Sequence, residues 1–371
     1  MKKILFVLPT DSSKGGAESV LRLIARELSK DQKIRIDILF STKNVYHGWD
    51  NLRSRHNVSL RFSRSKSVWF GIPRLFLNLI CLRKQKFDIC FTSHTDMTGI
   101  VGFLRRLHLL SIDKFVARES CSVFLRYKKL PLRFKIHHKL GYPAIDLLIC
   151  QTQEMKKQFM ERASQLTREI GRIEVLPNPI DLEQIKEEIQ KPVETNFSSS
   201  YRYIVAAGRL ISIKGFEQLI KAFSILHKES AFEDTRLVIL GEGDRRNYLE
   251  NLVKELHLES LVELRGNVEN VYPYFHQAEL CVISSLLEGF PNVLLQMISQ
   301  CNRVVSTRCA GGIESLDGII TCPPNQEDAL YRAIKEGLVL KDNNNRDLFN
   351  QELNRRAAPI FVQKIHTLIE E

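Results

Sequence analysis

Short apolar runs and stretches with apolar positions three and four apart alternate along the whole chain. "KKILFVLP" (Lys2 to Pro9) reads as a buried strand. After the loop "TDSSKGGAES" a helix follows from about Ala17 to Ser29, with Val20, Leu21, Leu23, Ile24 and Leu28 on its apolar side. The strand pattern returns in "KIRIDILFS", "FDICFTS" (87–93), "KFVARES" (114–120) and "IDLLICQ" (145–151), with helical patterns between them. This alternation predicts a parallel sheet wrapped by helices. "RIEVLPNPIDLEQI" is a strand that stops at Pro177-Asn178-Pro179 and closes the first domain. The polar, Ser-rich "QKPVETNFSSS" (190–200) has the signature of a linker.

Beyond it the alternation restarts: "YRYIVAAGRL" strand, "GFEQLIKAFSILHKE" helix, "TRLVILGEG" strand, "RRNYLENLVKELH" helix, "LVELRG" strand, "VYPYFHQA" helix, "ELCVISS" strand, "PNVLLQMISQ" helix, then "NRVVST" and "DGIITC" strands. The predicted class is therefore α/β, with two Rossmann-like parallel-sheet domains. Residues 1–182 form the first, 183–200 link them, 201–355 form the second, and 356–371 add a last helix, "FVQKIHTLIEE". Two such domains facing each other would leave a cleft at the carboxyl ends of their strands, where open α/β sheets bind ligands.

Length and composition agree with this picture: 371 residues exceed the roughly 100–200 of one domain, and 44% hydrophobic with 26% charged residues is a globular balance. The basic, apolar start resembles a secretory signal, but the run from Ile4 to Thr10 meets Pro9 and a polar loop without a small-residue cleavage pattern, so it reads as a strand. No apolar run reaches the ~18–20 residues needed to span a bilayer. The 8 cysteines form no CxxC pair, which fits reduced thiols in a cytosol and no structural zinc. Charge is shared unevenly: residues 1–180 hold 33 Lys and Arg against 15 Asp and Glu, residues 181–371 hold 21 against 28. A basic half suits nucleic acid, an anionic membrane or an anionic substrate.

Chemistry-bearing residues cluster after strands. In "GRLISIKGFEQLIKAF", Arg209 and Lys214 lie in a strand-to-helix loop beside a helix N-terminus, a combination that suits a diphosphate. In "SSKGGAES", Gly15 and Gly16 let backbone approach a ligand, while Glu18 in the first turn either faces that ligand or complements the helix dipole. Gly241-Glu242-Gly243 matches half of a dinucleotide fingerprint and equally a tight turn. No GxxxxGK, Asp-x-Asp or HExxH is present, so neither a P-loop nor a dedicated metal site has support. In "SSLLEGFPNVLLQMIS" the strand ends at Ser285, Glu288 projects from the sheet edge, Pro291 suits the first helical position and Gln296 lies over one turn further.

"GGAES", "VLPNPID", "GRLISIKGFEQLIKAF", "LVILGEGDRRNYLE", "SSLLEGFPNVLLQMIS" and "CAGGIESL", in that order, resemble the retaining GT-B glycosyltransferases of family four, and the resemblance covers nearly the whole chain. Their wording is similar to that of bacterial enzymes that build O-antigen, capsule or lipid-linked oligosaccharides. The resemblance implies that Arg209 and Lys214 bind the donor diphosphate. It implies that Glu288 approaches hydroxyls of the transferred sugar, with Gly289, Phe290, Pro291 and Asn292 placing amides nearby. The family's second glutamate, which holds the ribose, is Gln296 here, so charge assistance is lost at that contact. A family histidine near the donor sugar has two candidate counterparts, Glu119 with Arg118 beside it, and His94.

The implied reaction is transfer of a sugar from a nucleotide diphosphate sugar, UDP by default, to a hydroxyl with anomeric retention and without metal or other cofactor. The implied acceptor is a glycolipid or a polyprenyl-diphosphate-linked precursor, and no nucleic acid is involved. "SRSKSVWFGIPRLFLNLICLRKQK" (63–86) and "LRYKKLPLRFKIHHKL" (125–140) interleave aromatics with cations. They read either as a surface lying on anionic lipid, which places the protein at the inner face of the cytoplasmic membrane, or as core helices with solvated flanks. Three other readings remain at this stage: a GT-B-shaped nucleotide-sugar epimerase, a nucleic-acid-binding protein using the basic half, and a catalytically inactive homologue.

Overall fold

The computed structural model describes residues 1–12, 16–120, 130–163, 169–191, 195–340 and 345–371. The chain divides into two compact units, Met1–Pro179 with Arg356–Glu371, and Ile180–Arg355. The boundary thus lies at residue 179/180 and not at a linker over 183–200. Much of that stretch is the helix Leu182–Ile189, capped by the Asp181 carboxylate accepting from the Gln184 amide at 2.9 Å. Asn270 Nδ2 donates to the Glu188 carbonyl at 2.6 Å and ties this helix into the second unit. The last helix, Ala358–Glu370, belongs to the first unit, where Phe361, Val362, Ile365 and Ile369 join the core that holds Val20, Ile24 and Leu28.

The first unit is built on a parallel sheet of seven strands: β1 (Lys2–Leu8), β2 (Ile34–Phe40), β3 (Val58–Phe62), β4 (Lys86–Thr92), β5 (Ser111–Arg118), β6 (Leu147–Cys150) and β7 (Arg172–Val175). Their order across the sheet is β3-β2-β1-β4-β5-β6-β7. β1 shows why the run is wholly apolar: Ile4, Phe6 and Leu8 enter the core on one face of the sheet, and Leu5 and Val7 the core on the other. Side chains buried on both faces contribute roughly 1.5–3 kcal/mol each. β3 is not among the strands expected from the pattern. It is a half-buried edge strand carrying Ser59 and Arg61.

The second unit repeats the plan with β8 (Arg202–Ala207), β9 (Thr235–Leu240), β10 (Val262–Gly266), β11 (Leu280–Ile283), β12 (Val304–Thr307) and β13 (Ile319–Cys322), ordered β10-β9-β8-β11-β12-β13 and all parallel. In both units the strand order reverses beside the first strand, between β1 and β4 and between β8 and β11. Loops diverge at such switch points and leave room for a ligand at the carboxyl ends. Among the described residues no helix is long and apolar enough to cross a membrane.

Candidate active site

At the second unit's switch point the chain leaves β8 through Gly208 and Arg209, makes a short 3-10 turn at Ser212–Lys214, and enters the helix Phe216–Leu226 through Gly215. Gly215 has φ 65°, and a Cβ there would lie 2.0 Å from the Ser284 carbonyl oxygen, so only glycine fits. The Ser284 hydroxyl donates to the Lys214 carbonyl at 2.9 Å, joining the loops that follow β8 and β11. With the backbone so held, Lys214 Nζ donates to Glu288 Oε1 at 2.5 Å, and the Ser285 hydroxyl donates to the same oxygen at 2.9 Å. Both partners of the ion pair keep some access to solvent, at 16% and 18%. Arg209 is exposed and has no side-chain hydrogen bond or ion pair among the described residues. The Cys309 carbonyl accepts from the Glu288 amide at 2.7 Å, and the Cys309 thiol is pushed up to about 12, by burial first and then by the Glu288 charge.

The remaining predicted donor residues flank this pair. Gly289 is partly buried and Phe290 is in the core, and the helix begins at Asn292, so Pro291 caps it from one residue before the expected place. Gln296 lies in the second turn, where its amide donates to the Tyr272 hydroxyl at 3.3 Å. Gly241 and Gly243 serve packing: a Cβ on either would lie 1.9 or 2.4 Å from the carbonyl oxygens of Gly208 and Leu210. Two cations, one carboxylate and a helix start converge here, an arrangement able to take a diphosphate beside a polyol.

At the first unit's switch point, Glu18 on the helix Gly16–Leu28 faces His94 at the end of β4, with Oε1 3.4 Å from Nε2 and 3.4 Å from the Thr10 hydroxyl. Burial pushes the Glu18 carboxyl up, but its hydrogen bond and charge contact with His94, its own amide and Thr10 outweigh this and hold it below the ordinary value. Gly16 is the first residue of that helix, and Gly15 lies outside the described residues.

Glu119 stands apart from this opening. It is 6% exposed and accepts from the Tyr142 hydroxyl at 2.5 Å, and burial pushes its carboxyl up to about 7. Arg118 beside it donates to Asn178 Oδ1 and, at 3.4 Å, to the Ser93 hydroxyl, and burial brings it down to about 10. Gln151 bridges the Glu119 carbonyl and Asn178 at 3.0 Å each. Of the two candidates for the family histidine position, His94 is the one with access, at 29%.

Sequence reasoning passed over Ser285, whose signal was its place at a strand end, and Asp11. Asp11 is fully buried, and its Oδ2 accepts from the consecutive amides of Val45, Tyr46 and His47 at 3.1, 3.0 and 3.0 Å. A lone Asp 34 to 36 residues before its partners carries no local signal.

Residues 14–184 match the model of the family described as "Glycosyltransferase Family 4", and residues 201–339 that described as "Glycosyl transferases group 1". An uncharacterized glycosyltransferase of Haemophilus influenzae is 30% identical over 380 aligned positions, covering 100% of this chain and 99% of that protein. A Campylobacter jejuni alpha-1,4-N-acetyl-D-galactosaminyltransferase, named for the acceptor GalNAc-alpha-(1->4)-GalNAc-alpha-(1->3)-diNAcBac-PP-undecaprenol, is 27% identical over 98% of this chain and 96% of its own length. Among solved structures, Anabaena HepE in complex with UDP superimposes with a TM-score of 0.77 at 16% identity, covering 100% of both chains.

Proposed function

The chain belongs to family 4 of the glycosyltransferases and has the GT-B fold, and on that premise we propose that it moves a hexosyl or N-acetylhexosaminyl group from a UDP-sugar to a hydroxyl of a polyprenyl-diphosphate-linked glycan, with retention and without a metal. The observation that carries this reading is the Lys214–Glu288 pair, with Arg209 exposed beside it, at the β8/β11 switch point. In this mechanism Arg209 and Lys214 take the diphosphate, and charge released as the anomeric C–O bond breaks is met by those cations and the start of the helix Phe216–Leu226. Glu288 turns to the sugar hydroxyls, and Gln296 hydrogen-bonds the ribose. The acceptor hydroxyl attacks from the face the leaving group vacates and passes its proton to the departing diphosphate oxygen. The UDP complex of HepE supports the choice of base, and the named acceptor of the Campylobacter enzyme supports the lipid-linked substrate. Metal independence draws on the family resemblance and on a sequence without Asp-x-Asp.

Contact with an anionic bilayer at the inner face of the cytoplasmic membrane belongs to the same proposal. The helix Val68–Cys81 exposes Trp69, Phe70 and Leu77, and the helix Leu132–Leu140 exposes Leu132, Ile136 and Leu140. Arg133 lies over the Trp69 ring at 4.6 Å, and Arg74, Lys135 and Lys139 are exposed around them. Leu75 and Leu79 of the first helix face the core instead, and the first part of the second basic stretch, 125–129, lies outside the described residues.

A thermal-shift panel with UDP, GDP, ADP, CMP, NAD and short DNA, with and without EDTA, tests the reading. A ligand at a hundredfold excess over its Kd stabilises the folded state by about 2.7 kcal/mol. UDP should raise the midpoint of the wild type in EDTA and not that of Arg209→Ala/Lys214→Ala. A UDP shift abolished by EDTA would remove the metal-independent mechanism, and a shift by DNA alone would remove the transferase reading. Product anomeric configuration, read by NMR after transfer to an undecaprenyl-diphosphate-linked glycan, decides retention.

A further inference from the structure

A second cationic site lies in the first unit, at the carboxyl ends of β1, β2 and β3. The loops after β2 and β3 are joined there: the Lys43 amide donates to the Ser65 carbonyl at 2.7 Å, and the Ser63 amide to the Thr42 carbonyl at 3.1 Å. Asp11 fixes the rest of the β2 loop through the three amides of Val45, Tyr46 and His47. The helix Val68–Cys81 presses on the same loop through Gly71, where a Cβ would fall 1.6 Å from the Ser41 carbonyl oxygen. These constraints frame a cavity of about 460 Å³ whose walls include Thr10, Thr42, Lys43, Asn44, Tyr46 and Lys66, with no acidic side chain among the described lining residues, Glu18 standing behind Thr10 and Asp11 behind the Val45 and Tyr46 amides.

Two features of the walls point to an anion. Lys43 and Lys66 come from adjacent strand ends, and neither has an ion-pair partner among the described residues. Thr42 is 2% exposed, and its Oγ1, closed to solvent in this rotamer, has no hydrogen-bond partner among the described residues. Folding leaves such a hydroxyl unsatisfied, a cost that a ligand oxygen accepting from it would remove. Val68 lies on the rim, and the next two residues of its helix, Trp69 and Phe70, are 53% and 83% exposed.

We propose that this cavity holds the diphosphate of the lipid-linked acceptor, with Lys43 and Lys66 on the phosphates, Thr42 Oγ1 donating to a phosphate oxygen, and the prenyl chain leaving over Trp69 and Phe70. The assignment rests on the reading of the chain as a transferase to a polyprenyl-diphosphate acceptor. It places the acceptor's charge on the sheet edge next to the Glu18–His94 pair at the β1/β4 switch point, since Thr10 of the cavity wall donates to Glu18 at 3.4 Å.

The test is a calorimetric titration of the full chain saturated with UDP, so that Arg209 and Lys214 are occupied. Farnesyl diphosphate, inorganic diphosphate and anionic phosphatidylglycerol vesicles are the three titrants. Lys43→Ala/Lys66→Ala should weaken both diphosphates at least tenfold. Thr42→Val should weaken them several-fold while the thermal midpoint holds or rises, since a buried hydroxyl without a partner is removed. Trp69→Ser/Phe70→Ser should erase only the advantage of farnesyl over inorganic diphosphate. Unchanged diphosphate affinity in the lysine variant overturns the proposal, as does a lysine variant that loses vesicles alone. Binding of UDP is read separately in the same samples. Its failure would sink the transferase reading while the farnesyl diphosphate result still decides the cavity.

Discussion

The two switch points share a topology and differ in chemistry. At β8/β11 an ion pair and an exposed arginine stand at the sheet edge, held by side-chain and backbone bonds between the loops that carry them. At β1/β4 the opening carries a carboxylate and an imidazole, Glu18 and His94, and behind it Arg118 and Glu119 are sealed among Tyr142, Gln151 and Asn178. The comparison teaches that charge at a strand end is informative only with its burial. Glu288 and Glu119 each follow a β-strand by a few residues, but one retains access while the other accepts a hydrogen bond from a phenol in the interior.

The largest expected effect breaks the comparison at its cationic side. Arg209→Ala/Lys214→Ala should weaken UDP by a factor of about 10²–10⁴, as two charge-assisted hydrogen bonds of about 1.5–3 kcal/mol each are lost, and Kd by calorimetry checks it. Glu288→Gln should lower kcat by about a hundredfold with UDP affinity nearly kept, because Lys214 is then free for the phosphates; steady-state kinetics beside the same calorimetry separates the two.

Glu119 sharpens the contrast through pH. Its folded pKa is raised from an ordinary 4.5 to about 7, so the folded state holds the proton more tightly. The contribution to stability is fully present below about pH 4.5, declines as the pH rises, and is lost above about pH 7, a swing on the order of 3 kcal/mol. Urea midpoints should therefore fall between pH 5 and 8 in the wild type, and that slope should flatten in Glu119→Gln. The smallest effect concerns Gln296→Glu, which should tighten UDP by about three- to tenfold by restoring a charged acceptor for the ribose hydroxyls; an unchanged Kd would mean that Gln296, held by Tyr272, does not reach the nucleotide.

Much of the second unit was legible because the centres of β8, β9 and β11 are apolar runs, Ile204–Ala206, Leu237–Leu240 and Leu280–Ile283, with polar residues after them. Lys214, Gly215 and Glu288 lie in the loops that follow strands the hydrophobic pattern locates, β8 ending at Ala207 and β11 at Ile283. The first unit hid more. β3 alternates Val58, Leu60 and Phe62 with Ser59 and Arg61 over only five half-buried residues, a signal too short to stand out beside the wholly apolar runs. The burial of Glu119 depends on Tyr142, twenty-three positions away, and Asp11 depends on a loop after another strand. The domain boundary was misread for a related reason: Asp181 and the helix it caps gave a local signal, but their docking against Asn270 is long-range.

The return of Ala358–Glu370 to the first unit has a consequence for synthesis. In chain order the second unit is an insertion, and the helix that covers part of the first unit's core leaves the ribosome after it. Val20, Ile24 and Leu28 therefore wait for Phe361 and Ile365 while a whole second domain is translated, at ~5–20 residues per second. During those seconds the nascent chain carries an unfinished apolar surface, and a chaperone able to shield it would find its window there.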